Sequence, residues 1–187
     1  MGISDVQVQD FGGVDEMPAR MGAFSQSANF GSVECLGVIR DAENNPSAAF
    51  HSISNALRKS NLDDPGRPGT ITRGKPRIGI FILPEANSVG AIEDLCLMSI
   101  EGEPVMDCIN SFVECVHGMG VKIRKSSKAK VAAFLSTRDE PGLLIGQAAA
   151  RKYWPWGHTA FDSIKQFLLE LFDSRKERHI ESSPEQA

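Results

Sequence analysis

The chain has 187 residues, 41% of them hydrophobic, with a net charge of −4 and a pI near 5.6. This describes one compact domain, or one with a small helical addition, and the acidic balance excludes a global pull toward nucleic acid, so binding of that kind needs a local basic patch. No apolar run approaches the roughly 18 residues of a membrane span, the start has no signal character, and Cys35, Cys96, Cys108 and Cys115 form no CxxC pair. The expectation is a soluble, cytoplasmic, reduced protein whose cysteines serve as small core residues.

In chain order, residues 3–9 alternate weakly and predict a strand, Gly12-Gly13 break it, and Val14 to Phe24 predict a short helix. After a polar linker, Val33 to Arg40 reads as a second strand. Its near-continuous apolar character fits a parallel sheet covered on both faces. Asn44-Asn-Pro-Ser47 is a turn with Ser47 as a ready cap, leading into an amphipathic helix over Ala48 to Ser60 with Phe50, Ile53 and Leu57 inward. Residues 61–76 are rich in Gly and Pro and carry Arg67, Arg73 and Lys75. Their length marks them as a functional flap or a disordered segment.

Ile78 to Leu83 is the clearest strand, ended by Pro84. Helices follow over Ala91 to Ser99, Asp107 to His117 (with Ile109, Phe112, Val113 and Val116 buried), Ser126 to Thr137, Gly142 to Tyr153 and Thr159 to Phe172. A further strand over Met119 to Arg124 is compatible with the alternation there. Trp154-Pro-Trp-Gly157 reads as a bend anchored to the core, and residues 174–187 as a polar, disordered tail to a single domain spanning 1–173. Strand, helix, strand, then helices is an α/β pattern: a small, mainly parallel sheet flanked by helices, with a helical C-terminal part.

Three groups of residues are suited to chemistry. Asp41 and Glu43 close the second strand, and residues two apart on an extended chain point the same way. Two such carboxylates can share a Mg²⁺ ion, which takes one or two carboxylates and leaves its other positions to water and phosphate. The plainer reading is a solvated turn with a local cap. Glu85 and Asn87 repeat the spacing after Leu83, and Glu93-Asp94 follow in the first turn of a helix. Acids there complement the helix dipole, but a pair flanked by apolar residues is costly to bury without a partner. Lys125, Lys128 and Lys130 open a later helix, where cations oppose the dipole unless a phosphate or carboxylate sits nearby; the alternative is a solvated basic face. His158 precedes the last helix as a cap or a site residue. No Ser/His/Asp or Cys/His arrangement and no phosphate-binding glycine signature stands out.

Taken together, Leu36-Gly-Val-Ile-Arg-Asp-Ala-Glu43, Gly79-Ile-Phe-Ile-Leu-Pro-Glu-Ala-Asn87, Gly90-Ala-Ile-Glu-Asp-Leu95, Lys128-Ala-Lys130 and the closing Phe161 to Phe172 stripe resemble an uncharacterised TOPRIM-related bacterial family. The stretch is similar to the TOPRIM part of the overcoming-lysogenization-defect (OLD) nucleases. The resemblance implies a TOPRIM-like α/β domain performing Mg²⁺- or Mn²⁺-dependent phosphodiester chemistry on nucleic acid. Asp41 and Glu43 match the acidic DxD motif with Glu at its second position. Glu93, Asp94 and Glu85 become further metal ligands, and Lys128 or Lys130 the cation that stabilises a phosphate. It also implies a homodimer or a partner ATPase, and no membrane. The family's first strand, which ends in Glu-Gly, has no match; Asp10-Phe-Gly-Gly-Val-Asp15 matches a later glycine turn. The alternative is therefore a non-catalytic binding or interaction module built on the same domain.

Overall fold

The computed structural model describes residues 6–173. Its elements run α1 (Met17–Ser25), a 3₁₀ turn (Phe30–Ser32), β1 (Cys35–Asp41), α2 (Pro46–Lys59), β2 (Arg77–Leu83), α3 (Ile92–Ser99), α4 (Val105–Gly118), α5 (Ser126–Ser136), α6 (Ile145–Ala150), a second 3₁₀ turn (Thr159–Phe161) and α7 (Asp162–Phe172). The fold is α/β. β1 and β2 pair in parallel, in register from Cys35↔Arg77 to Asp41↔Leu83, with α2 as the crossover.

Alternation along β2 divides the core. Ile78, Ile80 and Ile82 join Met21, Phe50, Ile53 and Leu57 on the α1/α2 side. Phe81 and Leu83 join Leu95, Phe134, Trp154, Phe167 and Leu171 on the side of α3 to α7. Every residue from Ile78 to Leu83 is buried, which explains why this strand has no polar position. The paired glycines Gly37 and Gly79 let α7 approach closely. A Cβ at Gly79 would lie 2.7 Å from Phe167, and one at Gly37 would lie 2.7 Å from Leu171. Arg77 ties the C-terminal end of α7 to the sheet by donating to the carbonyls of Glu170 at 2.6 Å and Asp173 at 2.7 Å.

Several expectations are corrected. Residues 6–9 are exposed and form no strand; residues 3–5 of that expected element lie outside the described residues, as does the expected tail 174–187. Met119 to Arg124 is no strand either: Met119 and Val121 are exposed and nothing pairs with the segment among the described residues. The 61–76 segment is neither a free flap nor disordered. It lies along the outer edge of β2, where the amides of Gly69 and Thr72 donate to the carbonyls of Ile80 (2.8 Å) and Ile78 (2.9 Å). Asn45, not Ser47, caps α2, accepting from the Ala48 amide at 2.9 Å with Pro46 in the first turn. Phe112 is 55% exposed on α4, and Cys108 and Cys115 share that solvent face, so only Cys96 among the four cysteines is fully buried. His158 caps the second 3₁₀ turn through the Ala160 amide. Trp154 is buried, stacked on Phe134 at 5.4 Å and bonded through Nε1 to the Ile145 carbonyl, which anchors the bend as its sequence suggests. Among the described residues no helix is long and apolar enough to cross a membrane.

Candidate functional site

The acids meet at the carboxyl end of the sheet. β1 ends at Asp41, and two residues later the chain bends back through Glu43, whose φ of 50° is left-handed. A two-way backbone bridge holds that bend: the Glu43 and Gly90 amides each donate to the other's carbonyl at 2.8 Å. Gly90 has a φ of 132°, and a Cβ there would sit 2.7 Å from the Asp94 carboxylate. A non-glycine residue in the left-handed region costs of order 1 kcal/mol or more and is concentrated at functional sites. The bridge joins the end of β1 to the start of α3, so Asp41, Glu43 and Glu93 are brought to one place.

Each acid has a distinct environment. Asp41 is half-buried, and its Oδ1 accepts the Ile92 amide at 2.9 Å, filling one of the unsatisfied donors at the start of α3. Burial pushes its carboxyl above the ordinary range; the Ile92 bond opposes this, and the charges of Glu93 and Glu43 add to it. Glu93 is buried, with its side chain 10% exposed. One of its oxygens lies 3.5 Å from Lys128 Nζ, while Oε2 is buried and has no hydrogen-bond partner. An ionised oxygen left that way is costly. Glu43 is exposed and held by Lys125 Nζ at 2.6 Å, a hydrogen bond that keeps its carboxyl below the usual value.

The remaining expected residues divide. Asp94 serves as a cap: Oδ2 accepts the Ala91 amide at 2.8 Å, and Oδ1 accepts the Ser127 hydroxyl, which ties α5 to α3. Both oxygens are used, so the capping reading accounts for it. Glu85 is exposed in the turn after β2, and among the described residues no hydrogen bond or ion pair joins it to the other acids. Lys128 reaches Glu93, whereas Lys130 donates to Asn110 on α4 at 2.7 Å. Lys125, just before α5, is the lysine that meets Glu43. Its signal in the sequence was the clustering of cations at a helix start, where carboxylates across the gap offset the unfavourable dipole. Among the described residues no group of three or more His, Cys, Asp or Glu is arranged to hold a metal ion. A shallow cleft of about 270 Å³ lined by Pro46, Ser47, His51 and Asn87 lies beside the same two connections, whereas the larger cleft, of about 570 Å³, is lined by α1 and residues 27–33 and by none of these acids.

Carboxylates that range from the exposed Glu43 to the buried Glu93, faced by two lysines, offer oxygen donors to a hard cation if the side chains close on it, and the lysines offer charge to a phosphate. Residues 2–173 match the family described as Protein of unknown function (DUF3226), and the chain belongs to that family. No curated protein and no solved structure matches it.

Proposed function

We propose that this DUF3226 member is a TOPRIM-like, Mg²⁺- or Mn²⁺-dependent enzyme of phosphodiester chemistry on nucleic acid, with its centre at Asp41, Glu43 and Glu93. The observation that carries the proposal is the buried, unpartnered Oε2 of Glu93 beside an Asp41 whose carboxyl is raised, first by burial and then by the charges of Glu93 and Glu43. A cation there would relieve both at once. The donor type also fits, since all are carboxylate oxygens, the ligands Mg²⁺ prefers; as they stand the three form no ready group, so their side chains would close on the ion as it binds. Asp41, through the oxygen not bonded to Ile92, Glu43 and Glu93 would hold the metal. Bound there, the metal would polarise a phosphodiester oxygen.

The chain's own residues do the rest. Lys125 and Lys128 are more than half exposed and flexible, so they can leave Glu43 and Glu93 and bind substrate phosphate. Taking up the metal therefore exchanges two internal ion pairs for contacts to the substrate. The Glu43–Gly90 bridge fixes the separation of the acids while this happens. The acidic pI is compatible with such a site because both lysines are local to it.

A second reading is a non-catalytic binding module. The specific observation favouring it is that Glu43 and Glu93 are both already paired with lysine. Incubating the protein with supercoiled plasmid and Mn²⁺ separates the two, with Mn²⁺ binding followed in parallel by electron paramagnetic resonance. Enzyme function predicts nicking that disappears in Asp41→Asn and Glu93→Gln, each with metal affinity at least roughly tenfold weaker. Mn²⁺ binding without nicking favours the module. Neither binding nor nicking removes the metal centre altogether.

A further inference from the structure

We infer that the cleft beside the acids receives one unstacked base of a single-stranded nucleic acid whose neighbouring phosphate lies at Asp41, Glu43 and Glu93. The choice of nucleic acid as the ligand rests on the proposed function; the cleft itself is a separate feature of the fold. It lies between the first turns of α2, the 66–68 stretch along β2 and the turn after β2. Its volume of about 270 Å³ falls just below the roughly 300 Å³ at which drug-sized sites begin, so it suits a single planar ring system.

The chemistry of the lining matches a base. Pro46, Pro68 and the largely buried Phe50 supply apolar surface, which takes the faces of a ring. Asn87 and His51 supply the polar groups, which take its edge. The Asn87 side chain is exposed and makes no hydrogen bond among the described residues, and an amide offers a donor and an acceptor side by side, the pairing that reads a base edge. His51 is held in place: Nδ1 contacts the Ser47 carbonyl at 2.7 Å, and the ring meets Phe50 edge-on at 5.7 Å, so Nε2 is its free nitrogen. No carboxylate and no lysine lines the cleft, which suits an uncharged part of a ligand.

The walls are built before any ligand arrives. Thr70 Oγ1 lies 2.8 Å from the carbonyls of both Pro65 and Arg67, the Gly66 amide donates to Asp64 at 3.0 Å, and the Gly69 amide fastens the stretch to Ile80. The Ser88 amide donates to the Glu85 carbonyl at 3.1 Å and closes the turn that carries Asn87. The cleft is also within a nucleotide's reach of the acids. Pro46 follows Glu43 by three residues and Asn87 precedes Gly90 by three, and the Glu43–Gly90 bridge joins the two connections. Three steps of chain span at most about 11 Å. Arg67, between the lining residues Gly66 and Pro68, is exposed and has no ion pair among the described residues, so a cation is available at the rim for the next phosphate. A paired base must be unstacked before it can enter, which selects single strands over duplex.

The test is fluorescence anisotropy with two labelled single strands of equal length, an oligo-dA and a chain made wholly of abasic sites, with Ca²⁺ as an oxygen-ligated cation. Both carry the same phosphates, so the ratio of their affinities reports the base alone. Wild type should bind oligo-dA roughly tenfold or more tightly than the abasic chain. Asn87→Ala and His51→Ala, both at exposed positions, should keep the wild-type circular dichroism and Mn²⁺ affinity and bring that ratio toward one. Glu93→Gln should weaken both strands alike and leave the ratio as it was. A ratio near one in wild type, a ratio that neither cleft variant changes, or no binding of either strand overturns the inference. A protein that binds no Mn²⁺ and nicks no plasmid, yet keeps a ratio sensitive to Asn87→Ala, would overturn the proposed function and leave the base site standing.

Discussion

Asp41 is asked to be two things at once, and the two can be separated by mutation. As a cap it needs only an acceptor for the Ile92 amide; as a site residue it needs a charge beside two other carboxylates. Its carboxyl is raised in the folded state. Its contribution to stability is thus full below the ordinary carboxylate value and is lost as pH rises through the raised one. At neutral pH the charge destabilises. Asp41→Asn keeps the acceptor and removes the charge, so the melting temperature at pH 7 should rise by roughly 2–4 °C, with a smaller gain toward acidic pH. A fall instead would mean that the charge is balanced in the native protein. Glu43 has the opposite sign: Lys125 lowers its carboxyl, so its contribution is present above the ordinary value and fades as pH falls through the lowered one. That pair is exposed, and Glu43→Gln should change stability little. Cys96 is separable in another way. Burial, with Glu93 adding to it, pushes its thiol up to about 12. A thiol reagent at pH 8 should therefore label Cys108 and Cys115 in the native protein and reach Cys96 only after unfolding, as peptide mass mapping would show.

At the scale of elements, the sheet is built around a close approach of backbone to ring. Gly79 faces Phe167 with no room for a methyl group: a Cβ would meet two ring atoms at 2.7 and 2.9 Å and Ile71 at 3.2 Å. Gly79→Ala should destabilise by about 1–3 kcal/mol through overpacking, read as a shifted denaturant midpoint with an unchanged slope. The strand at Ile78 to Leu83 and the helices α2 and α7 were legible in the sequence because burial writes directly into their patterns, as a continuous apolar run or a stripe at helical spacing. Residues 6–9 and Met119 to Arg124 were not, because alternation shows only that a strand could pair, and among the described residues no partner strand lies beside either segment. Phe112 misled for a related reason: α4 carries apolar residues on more than one face, and periodicity does not say which of them meets the core. In the site, the acids Asp41 and Glu43 were visible in the sequence, but not their arrangement: the extended strand stops at Asp41, and Glu43 is placed by a left-handed bend and its bridge to Gly90. The demotion of Asp94 to a cap and the arrival of Lys125 depend on how α3 and α5 pack, which local spacing does not record.

The whole molecule assembles the centre from the end of β1, the start of α3 and the start of α5, so no single element contains it and the unfolded chain has no such cluster. Any cation bound there is then linked to global stability. At a hundredfold excess over the dissociation constant, binding to the native state alone adds about 2.7 kcal/mol, which for a chain of this size raises the melting temperature by roughly 5–10 °C. Mn²⁺ should produce such a shift in wild type and little in Glu93→Gln. The lysines sharpen the expectation, since Lys125 and Lys128 now occupy the carboxylates that a metal would take. Replacing both by alanine frees Glu43 and Glu93, and the Mn²⁺ shift should become larger than in wild type. Phosphodiester cleavage by the same double variant should fall, because under the proposed function those two cations would also bind the substrate phosphate. A gain in metal binding with a loss of turnover would separate the lysines' two tasks. A double variant that loses both together would instead make the lysines necessary for the acids to be held in place.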